Sequence, residues 1–109
     1  MSEGDRPQYL YRIRPTRVDM LNSGLTPEEQ EIVGRHFTYL SELAEEGVVA
    51  MAGRTATDDE NAFGIVLFYA DSEADAQRIM SDDPAVATGL MQAELFPFRV
   101  AITGRDPQH

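Results

Sequence analysis

Segments of alternating apolar and polar residues, together with short runs of apolar residues, predict four strands along the chain. In the first, over residues 8–14, Tyr9, Tyr11 and Ile13 share one face, and Pro15 is expected to end the strand because it cannot donate a ladder hydrogen bond. Residues 48–54 form a second, short apolar segment. Residues 62–70 are apolar on both faces, so we expect a central strand that is covered twice. The last strand is expected over residues 94–102, with these apolar side chains on one face: Phe96, Phe98, Val100 and Ile102.

The spacing of apolar residues between the first two strands predicts an amphipathic helix from residue 26 to about residue 46. Thr26 can cap this helix, Pro27 suits its first position, and Glu29 can complete a capping box. Gly47 fits a left-handed C-terminal cap. One stripe of the helix carries its apolar side chains, which are Ile32, Val33, Phe37, Leu40, Leu43 and Ala44.

A second helix is predicted to begin at a Ser72 cap and to run to about residue 80, and Pro84 is expected to open a short helical turn after it. The order strand, helix, strand, strand, helix, strand is that of an α+β, ferredoxin-like βαββαβ antiparallel sheet with the helices on one face. Because the strands are apolar on both faces, we expect a second copy of the chain to cover the other face, giving a homodimer or a higher homo-oligomer.

Length and charge narrow the picture further. The 109 residues suit one domain, expected over residues 8–103 with flexible tails at 1–7 and 104–109. Nineteen acidic and nine basic residues give a net charge of −10, which argues against nucleic acid and against an anionic membrane as partners. The polar N-terminus and the absence of any apolar run of about 20 residues favour a cytoplasmic protein.

Four short stretches share the order and spacing of one protein family. They are Tyr-Leu-Tyr-Arg at 9–12, His36 followed by Leu40 and Gly47, Ala-Gly-Arg at 52–54, and Asp-Pro-Ala-Val at 83–86 followed by Gly89 and Glu-Leu-Phe-Pro-Phe at 94–98. On these residues the chain resembles the YciI-like (YCII-related) proteins from about residue 9 to residue 102. The resemblance implies a dimeric α+β barrel, and an enzyme-like cleft with a histidine and an aspartate, which His36 and Asp83 supply here. A related member eliminates chloride from a hydroxylated aromatic.

The chain departs from the family's pattern in the long connection from Pro15 to Leu25. This connection could lie over the mouth of the cleft.

His36 is the first candidate catalytic residue. It is the only histidine inside the expected domain, and it falls on the apolar stripe of the first helix. Imidazole is the side chain best suited to exchange protons near neutral pH. The alternative is a core histidine satisfied by one hydrogen bond.

Asp83 is the second candidate, and Pro84 after it offers an alternative role as a helix cap. The two roles are compatible, because one carboxylate oxygen can cap while the other meets a histidine. A carboxylate bonded to one ring nitrogen fixes the tautomer and makes the other nitrogen a stronger base.

Arginines near the first two strands are candidates for substrate binding: Arg12, Arg17 and Arg54, with Arg14 beside them. An arginine can hold an anionic group with two hydrogen bonds, although pairing with the abundant acidic residues is the ordinary alternative. The tyrosines at positions 11, 39 and 69 are expected in the core or the cleft. No metal site is expected, because the domain has one histidine and no cysteine, and no cofactor is expected, because no phosphate-binding glycine motif occurs.

Two functions remain open at this point. The first is a small dimeric enzyme in which a His–Asp pair acts as acid and base on a small, aromatic or carboxylated metabolite, by elimination, isomerisation or hydrolysis. The second is a non-catalytic module of the same fold that binds a small molecule or serves as an accessory subunit. Oxygenation without a cofactor, in a similar barrel, is a third possibility that the sequence leaves open.

Overall fold

A computed structural model describes residues 6–17, 24–57 and 59–104. The elements follow the predicted order, with the turn at Pro84 forming a helix of four residues. They are β1 (Gln8–Pro15), α1 (Pro27–Glu45), β2 (Val49–Arg54), β3 (Gly64–Tyr69), α2 (Glu73–Asp82), α3 (Pro84–Ala87) and β4 (Met91–Phe98). Most of the expected tails lies outside the described residues, as do residues 18–23 of the connection between β1 and α1.

The four strands form one antiparallel sheet in the order β2-β3-β1-β4, which is the ferredoxin-like arrangement predicted from the sequence. The predicted double-sided strand, β3, lies inside the sheet between β2 and β1. Tyr11, Val66 and Phe68 are fully or almost fully buried on the face that the helices cover. They pack in one core with Leu40 of α1 and Met80 of α2, so a single apolar layer joins the sheet to both long helices.

The predicted signals at both ends of α1 are confirmed. Thr26 accepts a hydrogen bond from the backbone of Glu29, and the Glu29 side chain accepts one from the backbone of Thr26. At the other end, Gly47 has a φ of +82°, a left-handed conformation that a side chain would strain. These caps fix where α1 begins and ends, and therefore the position of His36 along the helix.

The apolar stripe of α1 is divided between two surroundings, which the periodicity did not predict. Leu40 is buried in the core, whereas the Phe37 residue is 66% exposed. Val33 and Ala44 line a cavity together with Phe37. The predicted stripe is therefore not one continuous packing surface, because the part of the helix at Phe37 stands over open space.

The predicted bounds of β4, residues 94–102, were wrong: the strand begins three residues earlier, at Met91, and ends four residues earlier, at Phe98. Its partner β1 sets both limits, because the ladder runs from the Gln8–Phe98 pair to the Pro15–Met91 pair. Beyond Phe98, the backbone N–H of Val100 donates to the Gln8 side chain instead of to a strand, and the Ile102 residue is 88% exposed.

The second face of the sheet, which we call the open face, carries a central apolar patch. Leu10 of β1 lies beside Leu67 of β3 and beside Phe96 of β4 on this face. Phe96 and Phe98 are 41% and 43% exposed. None of the helices in the described part of the chain combines the length and apolarity needed to cross a membrane.

Candidate functional site

His36 and Asp83 reach the site from different elements. His36 lies in the middle of α1 and is one of its two buried residues. Asp83 stands between α2 and α3, where its backbone N–H bonds to the carbonyl of Met80 and its side chain caps α3. The sequence folds this way because Pro84 cannot continue α2 but suits the first position of the next helix. The break between the helices thus turns a carboxylate towards α1.

The Asp83 carboxylate accepts three hydrogen bonds and is completely buried. Its Oδ1 lies 2.7 Å from Nδ1 of His36 and 2.9 Å from the backbone nitrogen of Ala85. Its Oδ2 accepts a hydrogen bond from the hydroxyl of Tyr11 at 2.7 Å. Capping and histidine contact therefore share one oxygen, whereas the sequence suggested one oxygen for each role.

The ring of His36 has one nitrogen held and one available. Because the Asp83 carboxylate accepts, Nδ1 carries the proton, and Nε2 then carries the lone pair. Within the described residues, Nε2 has no hydrogen-bond partner, and no fully buried side-chain nitrogen or oxygen is left without one. Nε2 is therefore accessible, and His36 lines the cavity described next.

A cavity of about 490 Å³ lies between α1 and the sheet. This volume is within the usual range for small-molecule sites, roughly 300–1,000 Å³. Among the described residues that line it there is no aspartate or glutamate, although the chain has a net charge of −10. Its polar side chains are those of His36, Ser41 and Arg54, and the rest of its described wall is largely apolar. Such a wall suits a compact, mostly apolar ligand with few polar groups.

Tyr11 is the contact that sequence reasoning missed. Burial, together with the neighbouring Asp83 carboxylate, raises the pKa of the Tyr11 hydroxyl far above its ordinary value, so near neutral pH the hydroxyl keeps its proton and donates it in the hydrogen bond. The available signal was indirect: Tyr11 falls on the helix-facing side of β1, and a buried tyrosine hydroxyl generally needs a partner. Nothing local could identify that partner, which lies 72 positions away.

The other two tyrosines expected in the core or the cleft, Tyr39 and Tyr69, occupy different surroundings. The Tyr39 hydroxyl donates to the carbonyl of Ile79 at 2.7 Å, and burial raises its pKa to about 12, with smaller contributions from the Asp82 and Asp83 carboxylates. Tyr69 lies under the guanidinium of Arg6, with the guanidinium carbon 4.7 Å from the ring centroid. Tyr39 is thus near the site without bonding to it, and Tyr69 is on β3.

The three candidate arginines are not brought together. Arg12 lies on the open face and bonds to Glu94, whose pKa this guanidinium lowers. Arg17 bonds to both oxygens of Glu29 at 2.7 Å, which lowers the pKa of that carboxyl. Arg54, at the end of β2, lines the cavity while it bonds to the carbonyls of Thr55 and Thr57.

The ends of the long connection after β1 also belong to the cavity. Pro15 and Leu25 both line it, whereas residues 18–23 between them lie outside the described part of the chain. Within the described ranges, no three histidine, aspartate or glutamate side chains come together in a way that could hold a metal ion.

Comparison with known proteins adds a family and a fold. A family model described as the YCII-related domain matches residues 9–99. No curated protein matches the chain. Among solved structures, the chain is similar to 5-chloro-2-hydroxyhydroquinone dehydrochlorinase from Burkholderia phenoliruptrix AC1100 in complex with 2,5-dihydroxybenzoquinone. The TM-score is 0.59 and the identity 17%, over 84% of this chain and 93% of that one, so the two share a fold.

Proposed function

The chain belongs to the YCII-related family, and we propose that it is an acid/base enzyme in which His36 is the base and Asp83 fixes the histidine ring. One observation carries the proposal. The buried Asp83 carboxylate bonds to Nδ1, while Nε2 is accessible in a ring that lines an apolar cavity. A core histidine satisfied by one bond would not need to line a cavity.

The cavity indicates the class of substrate. Its volume accommodates one or two rings, and its apolar wall favours a conjugated or aromatic compound. Nε2 needs an acidic proton within hydrogen-bond reach, which a ring hydroxyl supplies. We therefore expect a hydroxylated aromatic or quinoid metabolite. The similar dehydrochlorinase, which was solved with a hydroxylated quinone, supports the same class.

The first chemical step follows from these groups. The hydroxyl O–H bond breaks, its proton passes to Nε2, and the electron pair stays on oxygen and spreads over the ring. Asp83 stabilises the imidazolium that forms. In an isomerisation, the imidazolium then returns the proton to a ring carbon, which gives the keto tautomer. In an elimination, the carbon that receives this proton carries the leaving group. A second ring hydroxyl then gives its proton to Nε2, its electron pair forms a carbonyl, and the bond to the leaving group breaks with its electron pair, so that the net loss is one proton and the leaving-group anion. If water takes the place of the hydroxyl compound, the same base supports hydrolysis.

Arg54 is the substrate-binding residue that we retain from the three candidates. It is the cationic side chain in the described wall of the cavity, where an oxyanion forms when the substrate loses its proton. A positive charge favours that anion over the neutral hydroxyl compound. Arg54 thus binds the product of proton transfer more strongly than the starting compound.

We further propose that the working unit is a homodimer formed through the open face. The apolar patch of Leu10, Leu67, Phe96 and Phe98 supports this proposal, because an apolar patch of this kind is often a protein interface. A second copy of the chain offers the same patch, so a twofold axis pairs the two patches with each other.

The test uses two probes, 2,5-dihydroxybenzoquinone for binding and 5-chloro-2-hydroxyhydroquinone for turnover, followed by a panel of other hydroxylated aromatics. The parent chain is compared with His36→Gln and with the control Arg35→Gln, which places the same residue on the exposed neighbouring position of α1. We expect turnover of at least one compound by the parent and the control, and a loss of about 10²–10⁴-fold in His36→Gln.

Acidification provides a second readout, because a protonated imidazole cannot accept a proton. The rate should fall as the pH is lowered, and the residual rate of His36→Gln should not follow the same profile. Equal turnover by parent and His36→Gln would refute the acid/base role. Tight binding without turnover by any of the three proteins would favour the non-catalytic module, and consumption of dioxygen would favour oxygenation.

A further inference from the structure

We infer that Tyr11 is a positioning residue of this site. By donating a hydrogen bond to Oδ2, Tyr11 holds the Asp83 carboxylate towards His36. The same hydrogen bond stabilises the negative charge of the carboxylate, so that the His–Asp pair attracts a proton less strongly and Nε2 remains an unprotonated base. The inference rests on the proposed role of His36 as a base. Tyr11 acts through Asp83, because it does not belong to the described residues that line the cavity.

The geometry gives Tyr11 this role. The Asp83 carboxylate and the Tyr11 side chain are both fully buried, and their hydrogen bond spans from β1 to the junction of α2 and α3. The backbone of Ala85 and the ring of His36 both meet Oδ1, so Tyr11 is the donor that holds the other oxygen. Two anchored oxygens fix the plane of the carboxylate, and the carboxylate in turn fixes the imidazole.

The electrostatic effect of Tyr11 has a definite sign. A buried carboxylate next to an imidazole attracts a proton, and a protonated His36 could not act as a base. A hydrogen bond from a neutral hydroxyl stabilises the negative charge and weakens the attraction of the pair for a proton. The Tyr11 hydroxyl keeps its own proton, because burial and Asp83 raise its pKa. It therefore lowers the proton affinity of the pair without contributing a charge.

Other ionisable groups face the pair from the elements packed around it. Tyr39 of α1 is close enough for Asp83 to raise its pKa, and Asp82 at the end of α2 acts on Tyr39 in the same direction. Arg54 of β2 lines the same cavity as His36. Tyr39 donates to the backbone carbonyl of Ile79 and not to Asp83. Tyr39 is therefore the control, since it carries a half-buried hydroxyl nearby that does not bond to the carboxylate.

The experiment is an NMR titration of the ligand-free protein, which needs no substrate. The Cε1–H signal of His36 and the carboxyl carbon of Asp83 are followed in the parent, in Tyr11→Phe and in Tyr39→Phe. A His109→Asn background removes the second histidine of the sequence. Because the two groups are coupled, the measured quantity is the pH at which the pair takes up its first proton.

In Tyr11→Phe we expect this midpoint to rise by about 0.5 pH units or more, and in Tyr39→Phe we expect it to stay near the parent value. Both variants are expected to lose stability, so stability alone does not distinguish them. An unchanged or lower midpoint in Tyr11→Phe, or an equal rise in both variants, overturns the inference.

A second variant keeps the test decisive if Tyr11→Phe does not fold. Site-specific 3-fluorotyrosine at position 11 keeps the hydroxyl and makes it a stronger donor, so the midpoint should move to lower pH. A midpoint that does not fall would overturn the inference. The titration is also separate from the test of function, because failure to bind or convert any hydroxylated aromatic would refute the enzyme proposal while leaving the titration result intact.

Discussion

Nδ1 of His36 and Oδ1 of Asp83 are 2.7 Å apart, although 47 positions separate the two residues in the sequence. The same oxygen also accepts the backbone N–H of Ala85. One carboxylate thus caps α3 and orients the ring in α1. Because Oδ1 serves both roles, a substitution that removes this oxygen removes both.

Replacing Asp83 by asparagine should destabilise the fold. Asparagine caps a helix as well as aspartate does, so the sequence alone predicts a nearly normal fold. In the structure, however, three donors meet the two oxygens of Asp83, and an amide NH₂ would face one of those donors. We expect Asp83→Asn to cost about 1–3 kcal/mol in urea unfolding, because a buried polar group loses its partner. Asp83→Ala should cost about 0.5–2 kcal/mol more, because the cap is lost as well.

A double-mutant cycle identifies the source of that loss. If the amide NH₂ introduced by Asp83→Asn faces the Tyr11 hydroxyl, the losses in unfolding free energy of the single variants Tyr11→Phe and Asp83→Asn, added together, should exceed the loss in the double variant by about 0.5–3 kcal/mol. Strictly additive costs would mean that the two side chains do not interact in solution.

Tyrosine ionisation should make stability fall at alkaline pH. The pKa of Tyr39 is raised to about 12 in the folded state, above the ordinary value of 10.0. Between these two values the unfolded chain has lost a proton that the folded chain keeps, so the free energy of unfolding decreases as the pH rises. This contribution is complete below about pH 10. Urea unfolding at pH 9 to 12 should show a weaker pH dependence in Tyr39→Phe, and an identical dependence in parent and variant would contradict this assignment.

A larger side chain at position 44 should exclude ligands from the cavity. Ala44 lies on the exposed side of α1 and lines the cavity wall, so Ala44→Phe places a ring in the binding volume. We expect the affinity for 2,5-dihydroxybenzoquinone to fall at least about tenfold, which corresponds to about 1.4 kcal/mol. Ala74→Phe, at an exposed position of α2, is the control. Calorimetric titrations that gave the same affinity for both variants would show that the ligand binds outside this cavity.

A charge in the centre of the open face should prevent dimer formation. Leu67 of β3 pairs with Leu10 of β1 on this face, so Leu67→Arg would bury an unpaired guanidinium between two copies of the chain. We expect the parent to scatter light as a dimer at micromolar concentration and Leu67→Arg to scatter as a monomer. Gln77→Arg adds the same charge on the exposed side of α2 and should remain dimeric. A monomeric parent would refute the proposed interface.

The local parts of the fold could be predicted from the sequence because their causes are local. Thr26, Ser72 and Asp83 each cap a helix through a backbone donor two or three residues ahead, and Gly47 ends α1 through its own conformation. The limits of β4 could not be predicted in this way. They depend on the length of β1, which pairs with β4 from a distant part of the chain.

In the candidate site, too, the sequence indicated single residues but not the contacts between distant parts of the chain. The properties of imidazole made His36 a candidate, and the family resemblance raised Asp83 above its role as a cap. The partnership of Tyr11 with Asp83 depends on packing between β1 and the α2–α3 junction, which no local pattern records. The separation of Arg12 from Arg54 likewise depends on which face of the sheet each side chain takes.

The shared duties of Asp83 have a consequence for how such chains can diverge. A descendant that no longer needs a base could exchange its histidine freely, whereas the aspartate would still be held by the helix break and by Tyr11. Decay of the chemistry should therefore start at position 36 and reach position 83 late. Relatives that keep the aspartate opposite a residue other than histidine would be proteins that have lost the reaction and kept the fold.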